Sequence, residues 1–439
     1  MAESAIGVGL IGCGTVGGGV AKLLREQAEV YTRRTGRPIV LRRLLDKAKD
    51  RVIESGLADA AVVTDDVESF FNTPDMSIVI ELAGGTGAAS TFVRRALESG
   101  RHVVTANKAL LAEQGPELFA LARKHNVSIA FEASCGGGIP CITALQFGLM
   151  ANRIDALYGI LNGTCNYILT EMTGKGKTYD AALADAQKLG YAEADPTLDV
   201  TGGDTAHKIA ILASLGFGVK LTGDKVTARG IDQLDLNDLK FGAELGYDIK
   251  LLAIAEREPG QDAVSVGVEP CFIHESELLA QVGGAFNALS VYGHAVGHTL
   301  YYGQGAGRMP TASAVVADVM NIASGWYGKA FSGMKLTPDL HEPALLANAD
   351  DLRSRYYLRI NAEDKPGVIA RITAELGDRG ISLSAVLQHE PEPGSDYVPI
   401  VIVTHEARRG DLLEAVGLIA SMDVIEGPPV MIRIVDMPD

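Results

Sequence analysis

Cysteine is scarce in this 439-residue chain: five residues, at 13, 135, 141, 165 and 271, an odd count with no CxxC pair. That argues against a disulfide framework or a zinc ribbon and fits a reducing compartment. An excess of positive charge is also missing. The 39 Lys and Arg face 55 Asp and Glu, a net charge of −16, which argues against a nucleic acid or an anionic membrane as partner. No apolar run reaches the ~18 residues that a membrane-spanning helix needs. The opening "MAESAIGVGL" has no basic segment ahead of a short apolar run, unlike a secretory signal. Internal repeats and low-complexity tracts are absent too. The expectation is a cytoplasmic protein with two or three domains and a large core.

What is present is glycine, 50 residues of it, clustered in short loops. Strand-like and helix-like segments alternate over the first ~140 residues. "AIGVGLI", "IVLRRLL", "SIVIELAGG", "HVVTAN" and "VSIAFEAS" read as strands. "VGGGVAKLLREQAEVYTRR", "ASTFVRRALESG" and "GPELFALARKHN" read as helices. Such alternation predicts an α/β fold with a Rossmann-type, doubly wound parallel sheet. From Gly138 to about Asn287 long helical segments ("PCITALQFGLMAN", "YDAALADAQKLG", "DTAHKIAILASLGFG") mix with strands, the pattern of an α+β domain. "KLTPDLHEPALLANADDLRS" reads as a linker. From Arg355 onward the order is βαββαβ, a ferredoxin-like module of about 80 residues.

"GLIGCGTVGGGV" places Gly12, Gly14 and Gly17 in a G-x-G-x-x-G that closes a strand and opens a helix. In that context the glycines permit the tight turn, backbone approach to a pyrophosphate, and close helix–strand packing. Ile11, Thr15 and Val16 complete this expected dinucleotide loop. The second strand ends at Asp46 and Lys47, with Arg42 and Arg43 just before. An acid there suits the ribose hydroxyl of NAD and a base suits the 2′-phosphate of NADP, so both cofactors stay open. Lys108 follows a strand end, where ligands of doubly wound sheets gather. Glu132 precedes a glycine run whose carbonyls could turn around a hard cation, or form a plain hinge. His294 and His298 have i, i+4 spacing but no accompanying HExxH glutamate, and read as structural.

"YAEADPTLDVTGGDTAHK" carries Glu193, Asp195, Asp199 and Asp204 ahead of Lys208. Asp204 and Lys208 share a helix face one turn apart. As a surface pair they would matter little. The apolar "IAILASLG" that follows makes this helix buried, and four acids suit a cationic ligand. A lysine on such a face can exchange a proton near neutrality.

Together with "TANKALLAEQGPELF", "FEASCGGGIP", "GILNGTCNYILTEM" and "GAGRMPTASAVVADV", these segments resemble, in order and over nearly the whole chain, homoserine dehydrogenase in its single-function form with a C-terminal ACT domain. The resemblance implies reduction of L-aspartate 4-semialdehyde to L-homoserine with NADP or NAD, in threonine, methionine and isoleucine biosynthesis. It implies that Lys208 donates the proton, that Asp204 lies close to the substrate, that Glu193 binds the substrate ammonium, and that Lys108 touches both substrate and cofactor. Thr105, Gly190 and Gly305 fall where the family contacts the nicotinamide cofactor, and Arg43 is assigned to it as well. Glu132, Cys135, Gly137 and Ile139 resemble a sodium site. Asp364, Pro366 and Gly367, in "DKPGV", resemble the effector loop of ACT domains, with threonine as the expected effector. The implied domains are 1–137 plus about 305–340 for the dinucleotide, 138–304 for substrate binding and dimerisation, a linker over 341–354, and the ACT domain over 355–439. A homodimer or homotetramer is expected. The alternatives are another amino-acid semialdehyde dehydrogenase, or an amino-acid sensor without catalysis.

Overall fold

A computed structural model describes residues 4–258, 260–390 and 396–438. The chain forms two compact units. The first comprises Met1–Gly163, Gly203–Thr227 and Ala285–Ala344, and the second Thr164–Gly202, Ala228–Gly284 and Leu345–Asp439. The stretch 138–304 is thus shared between them.

The first unit holds six parallel strands, β1 (Ile6–Ile11), β2 (Ile39–Leu45), β3 (Val63–Thr64), β4 (Ile78–Glu81), β5 (His102–Thr105) and β6 (Ile129–Ala130), in the order β3-β2-β1-β4-β5-β6. β1 and β4 are buried throughout, because helices cover both faces of a parallel sheet. The order reverses between β1 and β4, and a doubly wound sheet opens its ligand crevice at that point. The helix Arg308–Ala323 returns to this sheet and packs against the helix Thr15–Glu26. A Cβ on Gly19 would stand 2.8 Å from the Cβ of Ala312. An antiparallel set follows in the same unit. Phe286–Gly293 pairs on one side with Ile154–Ile160 and on the other with Gly297–Gln304. The helix Gly203–Phe217 lies on it, with Gly216 facing Leu157.

In the second unit Tyr247–Arg257 and Val264–His274 form an antiparallel hairpin. Val430–Ile434 continues from Val264–His274 in parallel. Arg353–Glu363, Tyr397–Thr404 and Leu383–Gln388 then add in turn, each antiparallel to the one before. The C-terminal order is the expected βαββαβ. Its helices Val368–Gly377 and Arg409–Ala420 bury Ile372, Leu376, Leu412 and Ile419 against Ile360 and Ile402 of the sheet.

Three local expectations need correction, and one strand was missed. The helix expected across "VGGGVAKLLREQAEVYTRR" breaks at Gln27, and its second half, Ala28–Thr35, buries no residue. "PCITALQFGLMAN" holds only a short turn at Cys141–Thr143 and a widened π turn at Ala144–Gly148. "VSIAFEAS" is a strand for two residues before it coils into a 3₁₀ turn at Glu132–Ser134. The strand Tyr247–Arg257 was not foreseen. Its near-continuous apolar run, buried from Ile249 to Ala255, lacks the alternation that marks a half-buried strand. The two histidines of "HAVGH" sit at a hairpin tip. His298 stacks on Tyr292 at 4.5 Å and meets the Ser290 hydroxyl, and the His294 ring accepts the Arg153 N–H.

Candidate active site

Asp204 lies in the first turn of the helix Gly203–Phe217 and is 3 % exposed. A carboxylate there is favoured by the unpaired N–H groups of the helix start. Lys208, one turn on, places Nζ 2.8 Å from Asp204 Oδ2 and donates to the Leu161 carbonyl at 2.6 Å. Lys108 is the first residue of the helix Lys108–Lys124, an unfavourable end for a cation. Its Nζ reaches Asp204 Oδ1 at 2.7 Å. Asn162 Nδ2 donates to Oδ2 at 2.9 Å. Burial alone would raise the Asp204 carboxyl, but the Lys208 and Lys108 ammonium groups outweigh it and hold the group well below the usual carboxylate range. Two ammonium groups share one carboxylate, so the cluster keeps a net positive charge.

Residues that sequence reasoning missed support this cluster. Glu81 ends β4 and is fully buried. Its Oε1 accepts the Ala83 and Gly84 N–H groups, and its Oε2 accepts the Thr105 hydroxyl at 2.8 Å. Thr105 Oγ1 in turn accepts the Asn107 N–H. Asn107 caps the helix that Lys108 begins, accepting from Leu110 N–H and donating to the Gly85 carbonyl. A carboxylate at the end of an otherwise apolar strand, "SIVIE", was the available signal.

The dinucleotide loop has the expected form. Gly12 has φ +89°, and a Cβ there would meet the Leu82 carbonyl at 2.7 Å. A Cβ on Gly17 would stand 2.0 Å from the Gly12 carbonyl, so only glycine lets helix and loop pack. Gly14 faces open space, room for a phosphate at the helix start. Ile11 is buried at the end of β1, and Thr15 and Val16 open the helix. Asp46 accepts the Cys13 and Ala48 N–H groups at 2.6 and 2.8 Å and so ties the end of β2 to the loop. Arg43 is engaged elsewhere: its guanidinium donates to the Ala61 carbonyl and the Ser69 hydroxyl.

The glycine-rich turn after β6 joins several parts of the first unit. The Glu132 N–H donates to buried Asp318 at 2.8 Å. The Glu132 carboxylate accepts the Ile142 N–H at 2.9 Å, the Thr143 N–H at 2.8 Å and the Thr143 hydroxyl. It is therefore spent on the following turn, and burial pushes its pKa up despite those bonds. The Ile139 carbonyl accepts the Cys141 N–H. Among the described residues no hydrogen bond ends on the carbonyls of Cys135 or Gly137. These two main-chain oxygens fit a hard monovalent cation, whereas the Glu132 side chain does not. The Cys135 thiol packs 3.8 Å from the Lys208 carbonyl, and Gly137 lies against the main chain of Gly305. All five cysteines are buried free thiols.

Lys108, Asp204 and Lys208 are thus brought together in the first unit, together with the dinucleotide loop, Thr105 and Gly305. Gly190 and Glu193 belong to the second unit. Gly190, φ +77°, ends the helix Tyr179–Lys188, and Glu193 is exposed, its carbonyl accepting from Gln187. In the ACT module Asp364, Pro366 and Gly367 line a cavity of about 310 Å³ together with Lys365, Val368 and Gln388. Gln388 donates to Asp364 at 3.3 Å, and Gly367, φ +88°, turns the chain into the helix Val368–Gly377.

Comparison with known proteins shows the family. Residues 12–132 match the family model described as homoserine dehydrogenase, NAD binding domain, residues 140–320 that of homoserine dehydrogenase, and residues 356–417 that of the ACT domain. The chain is 42% identical to a homoserine dehydrogenase of Pseudomonas aeruginosa, over 97% of this chain and 98% of that one. It is 42% identical to that of Neisseria gonorrhoeae, over 99% of each chain. The crystal structure of a homoserine dehydrogenase from Thiobacillus denitrificans is similar, with a TM-score of 0.92 and 42% identity, covering 99% of both chains.

The Asp204 clamp generates a stability prediction. A carboxyl whose folded value lies below its unfolded one (about 3.9 for Asp) stabilises the fold above that pH, and the contribution is lost as pH falls through the folded value. Asp204→Asn leaves the buried Lys208 ammonium, and beside it the part-exposed Lys108 one, without a counter-charge, and for the buried group this costs about 3–5 kcal/mol. Urea unfolding at pH 7 should show that loss, and the gap to wild type should narrow on acidification below about pH 4. An Asp204→Asn variant as stable as wild type at pH 7 contradicts the clamp.

Proposed function

The chain belongs to the homoserine dehydrogenase family, and on that premise we propose how its own residues serve the NAD(P)-dependent interconversion of L-aspartate 4-semialdehyde and L-homoserine. The observation that carries the reading is the donor count at Lys208. An ammonium group has three N–H donors. Two are engaged, by Leu161 and Asp204, and both fix where the third points. The nicotinamide supplies or accepts the hydride at the substrate's C4. Lys208 gives its remaining proton to the oxygen that becomes an alkoxide, and the net positive cluster stabilises that charge beforehand. In the oxidative direction the same nitrogen receives the hydroxyl proton. Lys108 adds positive potential from the start of its helix. Glu193 is assigned to the substrate ammonium, since a carboxylate is the partner that cation requires.

The dinucleotide loop from Ile11 to Gly17, with Thr105, Lys108, Gly190 and Gly305, is assigned to the cofactor. Asp46 supports a contact to ribose. Arg43 donates to Ala61 and Ser69 while its Nε has no partner, so the choice between NAD and NADP stays open. The free carbonyls of Cys135 and Gly137 are assigned to a sodium ion, which would tie the turn to Gly305.

For the C-terminal module we propose an amino-acid effector, threonine by resemblance, held at the Asp364–Gly367 loop, where free N–H groups at a helix start suit a carboxylate. By resemblance ACT modules commonly pair side by side, and on that ground we propose that a homodimer or homotetramer completes the site. Deleting the module is a poor test, because Val430–Ile434 is hydrogen-bonded to Val264–His274 and its loss would strip an edge of the second unit's sheet.

The direct test is nicotinamide absorbance with homoserine against other hydroxy amino acids, where homoserine should be preferred. Lys208→Ala should then lower kcat by roughly 10²–10⁴-fold with cofactor affinity little changed, and Glu193→Gln should raise the KM for homoserine by about 10-fold. Near wild-type turnover without the Lys208 amine rejects its role. Replacing sodium and potassium by a bulky organic cation at constant ionic strength should lower activity, and indifference to that exchange favours a plain hinge. Threonine should inhibit the wild type, while Asp364→Ala should relieve inhibition and leave uninhibited turnover intact. Equal inhibition of both proteins rules out this loop as the sensor.

A further inference from the structure

Resting on the cofactor assignment above, we infer that the side-chain amide of Asn287 binds the carboxamide of the nicotinamide ring and so fixes which face of the ring meets the substrate. Asn287 is the second residue of the strand Phe286–Gly293 and is 1 % exposed. Its Oδ1 is buried without a hydrogen-bond partner. Its Nδ2 makes no hydrogen bond among the described residues but is not itself fully buried. A fold seldom keeps a buried amide oxygen unpaired, because the lost hydration is not replaced. The chain also gives up side chains around it. A Cβ on Gly305 would stand 2.0 Å from Asn287 Cγ and 2.1 Å from Nδ2, so the amide lies flat on the Gly305 main chain. Gly137 closes on the Gly305 carbonyl from its own side, where a Cβ would stand at 2.4 Å.

The position of this amide selects its partner. On one side is Gly305, assigned to the cofactor. On the other is Gly163, whose Cβ would lie 3.4 Å from Oδ1. The preceding residue, Asn162, donates to Asp204. Asn287 therefore stands between the cofactor loop and the residues that hold the proton-transfer lysine. A group bound there needs a donor for Oδ1 and an acceptor for Nδ2. A primary carboxamide presents both in one plane, as the nicotinamide does. An ammonium group offers donors only and calls for a carboxylate rather than a neutral amide.

The test compares the reduced cofactor with its 3-acetylpyridine analogue, which keeps the ring carbonyl but replaces the amide NH2 by a methyl group. Dissociation constants are read by fluorescence on the full chain. Wild type should bind the analogue about 10-fold more weakly, since Oδ1 then faces a methyl group. Asn287→Leu, nearly the same size and unable to hydrogen-bond, should reduce that penalty to less than about 2-fold. Asn287→Asp keeps the acceptor and should retain the penalty. Asn287→Ala replaces the Leu variant if thermal unfolding shows that Leu is not accommodated. The KM for homoserine should stay within about 2-fold in these variants. No penalty in wild type, or an equal penalty in wild type and Asn287→Leu, overturns the inference. So does a rise in the homoserine KM with the cofactor penalty unchanged, which would make the amide a substrate ligand. Wild type that binds neither dinucleotide rejects the cofactor assignment itself, a result distinct from the others.

Discussion

One carboxylate holds the lysine cluster of the first unit in place. Asp204 pairs with Lys208 through one oxygen and with Lys108 through the other. Two ammonium groups so close repel each other, and in a buried site that repulsion is poorly screened. Lys108 also sits at the positive end of its helix. Asp204 offsets that repulsion by giving each lysine one of its oxygens. With it, the pair is fixed to within hydrogen-bond geometry and one positive charge is left over. That surplus has a use only if negative charge develops nearby, as it does on a carbonyl oxygen that receives hydride. The same residue therefore explains why the cluster is tolerated and, on the proposed reading, why it suits that charge.

The supporting bonds show how the fold delivers these groups. Glu81, at the end of β4, braces Thr105 at the end of β5, and Thr105 braces Asn107, which caps the helix that begins with Lys108. β4 is the strand next to the reversal of order, where the crevice opens. On the other side, Glu132 links the helix Arg308–Ala323, through Asp318, to the turn at Ile142 and Thr143. That link sets the glycine-rich turn against Lys208 and Gly305.

Much of this was legible in the sequence because it is local. The glycine spacing at 12, 14 and 17, the i, i+4 pair Asp204 and Lys208, and the βαββαβ order each follow from short-range periodicity. The rest depends on partners far apart in the chain. Nothing local joins Lys108 to Asp204, or Asn162 to either. Arg43 was assigned to the cofactor from its place at a strand end, and its bonds to Ala61 and Ser69, later in the chain, could not be read from that place. Glu132 was placed at a sodium site by resemblance, and that its carboxylate caps the turn that follows depends on Ile142 and Thr143, which the motif does not specify. The strand Tyr247–Arg257 was hidden because a fully buried strand loses its alternation.

The C-terminal module poses a different problem, that of being heard. It is not tethered to the second unit but built into its sheet. Val430–Ile434 lies between Val264–His274 and Arg353–Glu363. Arg433, largely buried, pairs with Glu256 at 3.1 Å. Arg359 grips Asp238 of the helix Leu236–Glu244 with two bonds, at 2.6 and 2.9 Å, and Tyr357 donates to the same carboxylate at 2.9 Å. The Asp364–Gly367 loop follows directly on the strand that carries Tyr357 and Arg359. An effector held there cannot shift that strand without straining a buried ion pair and a continuous hydrogen-bonded ladder. Breaking a buried pair is costly, so small displacements at the loop are resisted. A site of this kind regulates only if its ligand prefers one arrangement of the unit over another. The sheet that resists local movement is what would make such a preference reach beyond the loop.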